Sequence, residues 1–136
     1  DIQSQVTSNV NTIAQYAAIE ALEGDQSSIT VMREEFDRRR QYIVGALNTM
    51  PGLSVAVPHG AFYVWVDMSG LIGKNMAGRI IRDADDLAMI WLENEKVAVV
   101  PGSGFGMPQY FRLSYAVAME RLEEGVRRIA HSLEVI

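Results

Sequence analysis

The sequence contains no cysteine, only two histidines, no lysines besides Lys74 and Lys96, and no long apolar run. The absence of cysteine excludes disulfides and thiolate chemistry and fits a reducing compartment, so we expect a cytoplasmic protein. His59 and His131 do not form a pair at ligand spacing, so no metal site is expected. Without an apolar run of membrane length or a charged leader, no membrane partner is expected either.

Positive charge is also scarce, since 12 Lys and Arg face 17 Asp and Glu and the net charge is -5. A chain with this balance and no basic run is a poor partner for nucleic acid. Its 136 residues, 49% of them hydrophobic, suit one globular domain or a part of a larger protein. Because the chain starts with Asp1 and not with Met, we expect that upstream sequence has been removed.

The first third of the chain has helical periodicity. An alanine face predicts a helix that is capped by Asn9, Asn11 or Thr12 and stopped by Gly24. A second helix, from Ile29 to Met50, is supported by the i,i+4 pairs Glu34/Arg38 and Glu35/Arg39.

Short strands follow from residue 53 onward. Residues 53–57, 61–67, 97–100 and 111–115 are rich in β-branched and aromatic side chains, and the tight connection between the first two predicts an antiparallel pair. Two more helices are expected, from Ala84 to Glu95 with Asp85 or Asp86 as cap and from Met119 to Leu133. The order ααββαβα predicts an α+β fold, in which a three- or four-stranded, mostly antiparallel sheet packs against helices.

Arg112 stands inside the last predicted strand. Strand alternation places Phe111, Leu113 and Tyr115 on one face and Arg112 with Ser114 on the other. With the glycine-rich loop 101–108 just before it, Arg112 is a candidate clamp for a carboxylate or phosphate. The alternative is an edge-strand arginine that resists aggregation or pairs with an acidic neighbour. Spacing alone favours this alternative, because surface ion pairs are common.

The other reactive side chains do not form a catalytic pattern. Lys74 lies in a glycine-rich loop and Lys96 precedes a strand, which predicts two solvated surface lysines. Ser103 and Ser114 have no nucleophile-elbow context. The glycines from 102 to 106 match no phosphate-loop fingerprint, so they are expected to shape a turn.

Four segments carry a resemblance to a known family: QSQVTSN with IAQYAA (3–18), PHGAFYVWVD (58–67), VAVVPGSGFG (97–106), and YFRLSYA with MERLEEGVRRI (110–129). Together they resemble the C-terminal part of class I, fold-type-I aminotransferases, most closely the bacterial aspartate aminotransferase group. The resemblance implies that residues 1–24 are the end of a large domain and a connecting helix, and that residues 25–136 are the small C-terminal domain.

The resemblance also implies a function and roles for particular residues. Family members use pyridoxal 5'-phosphate, bound mostly by the large domain, to move an amino group between an amino acid and a 2-oxo acid. Arg112 matches the arginine that binds the substrate α-carboxylate. In a homodimer, Ser4 is expected near the distal carboxylate of the substrate in the neighbouring subunit, and Ser8, with Asn9 beside it, near the cofactor phosphate.

The sequence differs from the family pattern at several positions and lacks one of its key residues. Val6 replaces a usual serine, Val10 a usual proline, and Val117-Ala118 a Thr-Ser pair that would cap the last helix. The lysine that forms the aldimine is absent, so no catalytic residue is assigned and the chain alone is expected to be inactive.

Two alternatives stay open: a non-catalytic ligand-binding or dimerisation module, and the small domain of a lyase or decarboxylase with the same cofactor fold. The preferred amino acid also stays open.

Overall fold

The computed structural model describes residues 1–134, and the side chain of Ser4 lies outside the described part. The helices in this part are α1 (Ile2–Val6), α2 (Thr12–Glu23), α3 (Ser27–Asn48), α4 (Ala84–Ile90) and α5 (Met119–Leu133). The strands are β1 (Ser54–Val55), β2 (Tyr63–Asp67), β3 (Asn75–Met76), β4 (Arg79–Ile80), β5 (Val100–Pro101) and β6 (Tyr110–Ser114).

The chain divides into two compact units, the first ending at Arg33 and the second beginning at Glu34. In the first unit, Asn11 caps α2, because its side chain accepts hydrogen bonds from the backbone N–H groups of Ile13 (2.9 Å) and Ala14 (3.4 Å). Of the three cap candidates, the structure therefore selects Asn11. The predicted division into domains after residue 24 stays a prediction.

Four strands of the second unit form one sheet in the order β1-β2-β6-β5, and all neighbours are antiparallel. This confirms the predicted α+β class and the antiparallel pairing of the first two strands. A separate hairpin, β3-β4, lies in a segment for which no strands were predicted. Its turn residues Ala77 and Gly78 have φ of 51° and 80°, a conformation that an alanine rarely adopts.

One face of the four-stranded sheet forms the core together with side chains of α3, α4 and α5. The buried residues of this core include Ile43, Leu47, Val64, Val66, Leu87, Phe111, Leu113, Leu122 and Ile129. After α4 the chain continues as a π-helical turn, Trp91–Glu95, so the helix predicted to reach Glu95 changes its hydrogen-bonding pattern there. Trp91 contacts Phe111 edge-on at 5.2 Å, and its indole N–H donates to Ser132 Oγ at 2.8 Å.

Two details of the predicted helices were wrong. The N-cap of α4 is Asp83, which has an extended backbone and accepts a hydrogen bond from the Asp86 N–H, whereas Asp85 and Asp86 lie in the first turn. On α3, Glu35 pairs with both Arg38 (2.9 Å) and Arg39 (2.8 Å). In the described part of the chain, the predicted pair of Glu34 with Arg38 does not form, because Arg38 bonds to Glu35.

The predicted bounds of the last helix, Met119 to Leu133, agree with α5. Its N-cap Ala118 makes no side-chain hydrogen bond, as expected from the missing hydroxyl. Among the helices described, none combines enough length with enough hydropathy to cross a membrane.

Candidate functional site

Arg112 lies on a central strand. β6 is hydrogen-bonded to β2 on one side and to β5 on the other, and Arg112 faces Trp65 and Val100 across these two pairings. Phe111 and Leu113 are buried, whereas Arg112 is half-buried on the opposite face, as alternation predicts. The interpretation of Arg112 as an edge-strand residue is therefore wrong.

Among the described residues, the guanidinium of Arg112 has no hydrogen-bond acceptor and no acidic partner. Its Nε is buried and has no hydrogen-bond partner among the described residues. Within residues 1–134 Arg112 also forms no ion pair, so the predicted pairing with an acidic neighbour is not found. A buried, unpaired N–H of a charged group is costly, and such groups in folded proteins are nearly always satisfied. The unsatisfied N–H and the missing ion pair within residues 1–134 make Arg112 a candidate for binding an acceptor from outside the described chain.

Two aromatic rings contact the guanidinium. Its carbon lies 4.4 Å from the centroid of the Tyr63 ring and 5.3 Å from that of the Phe105 ring. Phe105 in turn meets Trp65 edge-on at 5.5 Å, and Trp65 stacks on Tyr110 at 5.8 Å. These four rings form what we call the aromatic cluster, and Arg112 is held against it by cation–π contacts.

The loop before β6 carries Phe105 into this cluster. Residues Gly102–Phe105 form a 3₁₀ turn, closed by the hydrogen bond from Met107 N–H to Gly102 O at 2.9 Å. A Cβ on Gly102 would lie 2.2 Å from the Met107 carbonyl oxygen, and Gly106 has a φ of 76°. The glycines thus shape a tight turn, as predicted, because they allow a close backbone approach and a left-handed residue.

An open pocket of about 390 Å³ adjoins Arg112 on the solvent side of the sheet. Its lining comes from β1, β2, β6 and residues 56–58, and it includes Tyr63, Trp65 and Tyr110 of the aromatic cluster. Its charged lining residues are Arg112 and Asp67. The pocket thus places one guanidinium and one carboxylate among apolar and aromatic walls, a setting that suits a small organic ligand whose anionic group lies at Arg112.

Asp67 is already engaged by other groups. Burial raises the pKa of its carboxyl, but hydrogen bonds from the backbone and hydroxyl of Ser69 and from Tyr110 outweigh this, so the net pKa is lowered. The Ser69 N–H lies 2.8 Å from Asp67 Oδ1. Conversely, the negative charge of Asp67, together with burial, raises the pKa of the Tyr110 hydroxyl. Asp67 therefore stays ionised at neutral pH while its oxygens accept these bonds.

The remaining predicted site residues lie in the first unit. Ser8 and Asn9 are exposed in the segment between α1 and α2. The side chain of Ser4 lies outside the described part, so its predicted position is not addressed by the structure. The roles predicted for these three residues stay predictions.

Lys74 and Lys96 are both exposed, as expected for surface lysines. Lys96 ends the π-helical turn with a φ of 56°, and its Nζ donates to the Glu93 carbonyl oxygen at 2.6 Å. His131 Nδ1 lies 3.6 Å from the Glu95 carboxylate, which fits its place near the end of α5. These side chains belong to local surface interactions.

Sequence reasoning missed the aromatic cluster and Asp67. Alternation along β2 would have placed Tyr63, Trp65 and Asp67 on one face, and pairing with β6 puts that face next to Arg112. Phe105 carries no comparable pattern, since it reaches the site from an irregular loop.

Comparison with known proteins assigns the chain to a family. The model of the family "Aminotransferase class I and II" matches residues 1–129. The chain therefore belongs to the class I and II aminotransferases, which confirms the resemblance found in the sequence.

Individual relatives agree with this assignment. The chain is 48% identical over 129 residues to the aspartate aminotransferase of Streptomyces avermitilis, covering 95% of this chain and 32% of the relative. It is 50% identical over 129 residues to the aspartate/prephenate aminotransferase of Cereibacter sphaeroides, covering 94% of this chain and 32% of the relative. The solved structure of the aspartate aminotransferase from Rhizobium meliloti superposes with a TM-score of 0.90 at 41% identity, covering 98% of this chain and 34% of that one. The chain thus spans about a third of the length of these relatives.

Proposed function

We propose that this chain is the C-terminal part of a pyridoxal-phosphate-dependent aminotransferase, and that Arg112 binds the α-carboxylate of its substrates. The observation that carries the proposal is the buried Nε of Arg112, which has no acceptor among the described residues although it lies on a central strand. The family assignment and the adjoining pocket support the same conclusion.

A carboxylate suits this atom by its chemistry. The guanidinium presents two N–H groups side by side, and a carboxylate accepts both in a bidentate pair with N···O distances of about 2.7–2.9 Å. Amino acids and 2-oxo acids all carry a carboxylate on Cα, so one fixed arginine can bind both substrates of an amino-group transfer. Because the strand fixes the Arg112 backbone, the bound carboxylate also fixes the orientation of the reacting carbon.

The cofactor site is expected to lie mostly outside this chain. Class I and II aminotransferases in general use pyridoxal phosphate, which stabilises carbanions next to the substrate amino group. Within residues 1–134, Ser8 and Asn9, which we expect near its phosphate, are exposed, and both lysines lie on the surface. The chemistry that we assign to this chain therefore stops at carboxylate binding and orientation. We expect a large domain, and a second subunit in a homodimer, to supply the rest of the site.

Kinetics of the intact enzyme that contains this chain test the proposal. Arg112→Ala is expected to lower kcat/KM for amino donors and 2-oxo acceptors alike by about 2–5 kcal/mol, on the order of 30- to 5000-fold. Arg112→Lys should recover only a part, because an ammonium keeps the charge and loses the planar fork. Arg121→Ala, which removes an exposed arginine of α5, is the matched control. An unchanged kcat/KM in Arg112→Ala overturns the proposal.

The assay also separates amino transfer from the related chemistries. Appearance of a new amino acid from the 2-oxo acid acceptor measures transfer. Release of carbon dioxide, or elimination without an acceptor, would instead identify a decarboxylase or a lyase.

A further inference from the structure

We propose that Tyr63 and Phe105 are positioning residues, which hold the guanidinium of Arg112 by ring contacts so that its Nη groups stay free to bind a carboxylate. The inference rests on the proposed function and assigns these two residues a part in it. No acidic side chain among the described residues orients Arg112, so its position depends on other contacts.

An arginine side chain is flexible. An acidic side chain that fixed its position would also take up its N–H groups. An aspartate or glutamate pairs with the same N–H groups that a substrate carboxylate needs. Aromatic rings interact instead with the flat face of the guanidinium and leave the in-plane N–H groups without an acidic partner. The distances of 4.4 Å to the Tyr63 ring and 5.3 Å to the Phe105 ring are within the range of such contacts.

Each ring is itself held in place. Tyr63 lies on β2, where it faces Ser114 across the pairing with β6, and its ring lies 4.5 Å from that of Phe62. Phe105 is held by the 3₁₀ turn and by its edge-on contact with Trp65 at 5.5 Å. A sheet position and a closed turn therefore fix the two rings independently of each other.

Phe105 is 55% exposed and is not among the residues of the buried core. Its ring centroid lies 5.3 Å from the guanidinium carbon of Arg112. Its replacement is therefore expected to leave the fold intact, which makes it the better of the two residues for a test.

The test uses the intact enzyme and two readouts, the inhibition constant of propionate and the KM and kcat of amino acid substrates. Phe105→Leu keeps an apolar side chain and removes the ring face, and Tyr63→Leu does the same on β2. Each is expected to raise the propionate inhibition constant by about 2- to 30-fold, the range that corresponds to one cation–π contact. KM should rise by a similar factor for all amino acid donors, since all share the carboxylate.

Conservative variants and a neighbour supply the controls. Tyr63→Phe and Phe105→Tyr keep a ring and are expected to retain the parent inhibition constant. Met107→Ala changes a partly exposed side chain of the same loop that has no ring contact with Arg112, and it should also leave the constant unchanged. A purely structural role of the rings would lower the melting temperature or the yield of folded enzyme without this dependence on the ring.

The outcomes separate this inference from the function on which it rests. If Arg112→Ala weakens propionate binding while Phe105→Leu and Tyr63→Leu leave it unchanged, the positioning role is wrong and carboxylate binding by Arg112 stands. If Arg112→Ala also has no effect, the proposed function itself fails. If Tyr63→Leu does not fold, Phe105→Leu alone decides the matter.

Discussion

Tyr110 and Asp67 face each other across the pairing of β6 with β2, and the interaction with the Tyr110 hydroxyl is one of the causes that lower the pKa of the Asp67 carboxyl. That interaction and the hydrogen bond from the Ser69 N–H keep the carboxyl ionised in spite of its burial. Asp67 thus has donors of its own on the same side of the sheet as Arg112. The two opposite charges that line the pocket thus have different partners. Asp67 accepts hydrogen bonds, and Arg112 contacts aromatic rings.

Tyr110→Phe tests the first of these arrangements. Removal of the hydroxyl takes away one donor to the ionised form, so the pKa of Asp67 is expected to rise toward its ordinary value. A carboxyl-carbon NMR titration of Asp67 measures the change. Tyr42→Phe, on α3, serves as the control, and an Asp67 titration that is identical in Tyr110→Phe and the parent would show that the bond does not set the pKa.

Gly102 is expected to be the least replaceable glycine of the loop before β6. A Cβ at this position would lie 2.2 Å from the Met107 carbonyl oxygen and 2.5 Å from that of Tyr110, both backbone atoms. Gly102→Ala should therefore destabilise the protein by about 1–3 kcal/mol, as other overpacking substitutions do. Chemical denaturation measures the loss.

Gly104→Ala is the matched control for that substitution. No atom lies within 4 Å of a Cβ built on Gly104, so this variant is expected to have a free energy of unfolding close to that of the parent. Equal stability of the two variants would contradict the close approach at Gly102.

A third prediction concerns stability against acid. The hydrogen bond from the Arg82 side chain, joined by that from the Arg82 N–H, lowers the pKa of Asp86 from 3.8 to about 2. A carboxyl with a lowered folded-state pKa stabilises the fold above its unfolded pKa, and this contribution disappears as the pH falls through the folded value. The difference in unfolding free energy between the parent and Asp86→Asn should thus be constant near neutral pH and shrink from about pH 5 to pH 2.

Urea unfolding at a series of pH values measures this difference. Asp85→Asn is the control, because Asp85 lies in the same first turn of α4 and has no ion pair within residues 1–134. A parent–variant difference for Asp86→Asn that stays constant down to pH 2 would contradict the account.

Local patterns were sufficient to predict much of the fold. The alternation from Phe111 to Tyr115 gave the correct face for Arg112, because side-chain direction in a strand depends only on position along it. The helix from Met119 to Leu133 was predicted with correct bounds, since amphipathic periodicity and charges at both ends agree there.

Features that depend on distant pairing were not predicted. An arginine on an edge strand and one on a central strand have the same local sequence, so the central place of β6 could not be read from residues 111–115. The contact of Phe105 with Arg112 depends on how a loop turns back, and the Ala77-Gly78 turn lacks the Asn-Gly or Asp-Gly signal of a two-residue hairpin. These are the places where tertiary structure, more than local preference, decides the conformation.

The central claim is that the guanidinium of Arg112, which has no acceptor among the described residues, binds a substrate carboxylate. A crystal structure of the intact enzyme with a bound 2-oxo acid tests it most directly, through the distances from two guanidinium nitrogens of Arg112 to the α-carboxylate oxygens. We expect both distances to be about 2.7–2.9 Å, as in a bidentate pair, with the Tyr63 ring still against the guanidinium. A carboxylate bound elsewhere, with Arg112 Nε paired to an acidic side chain of the protein, would contradict the account.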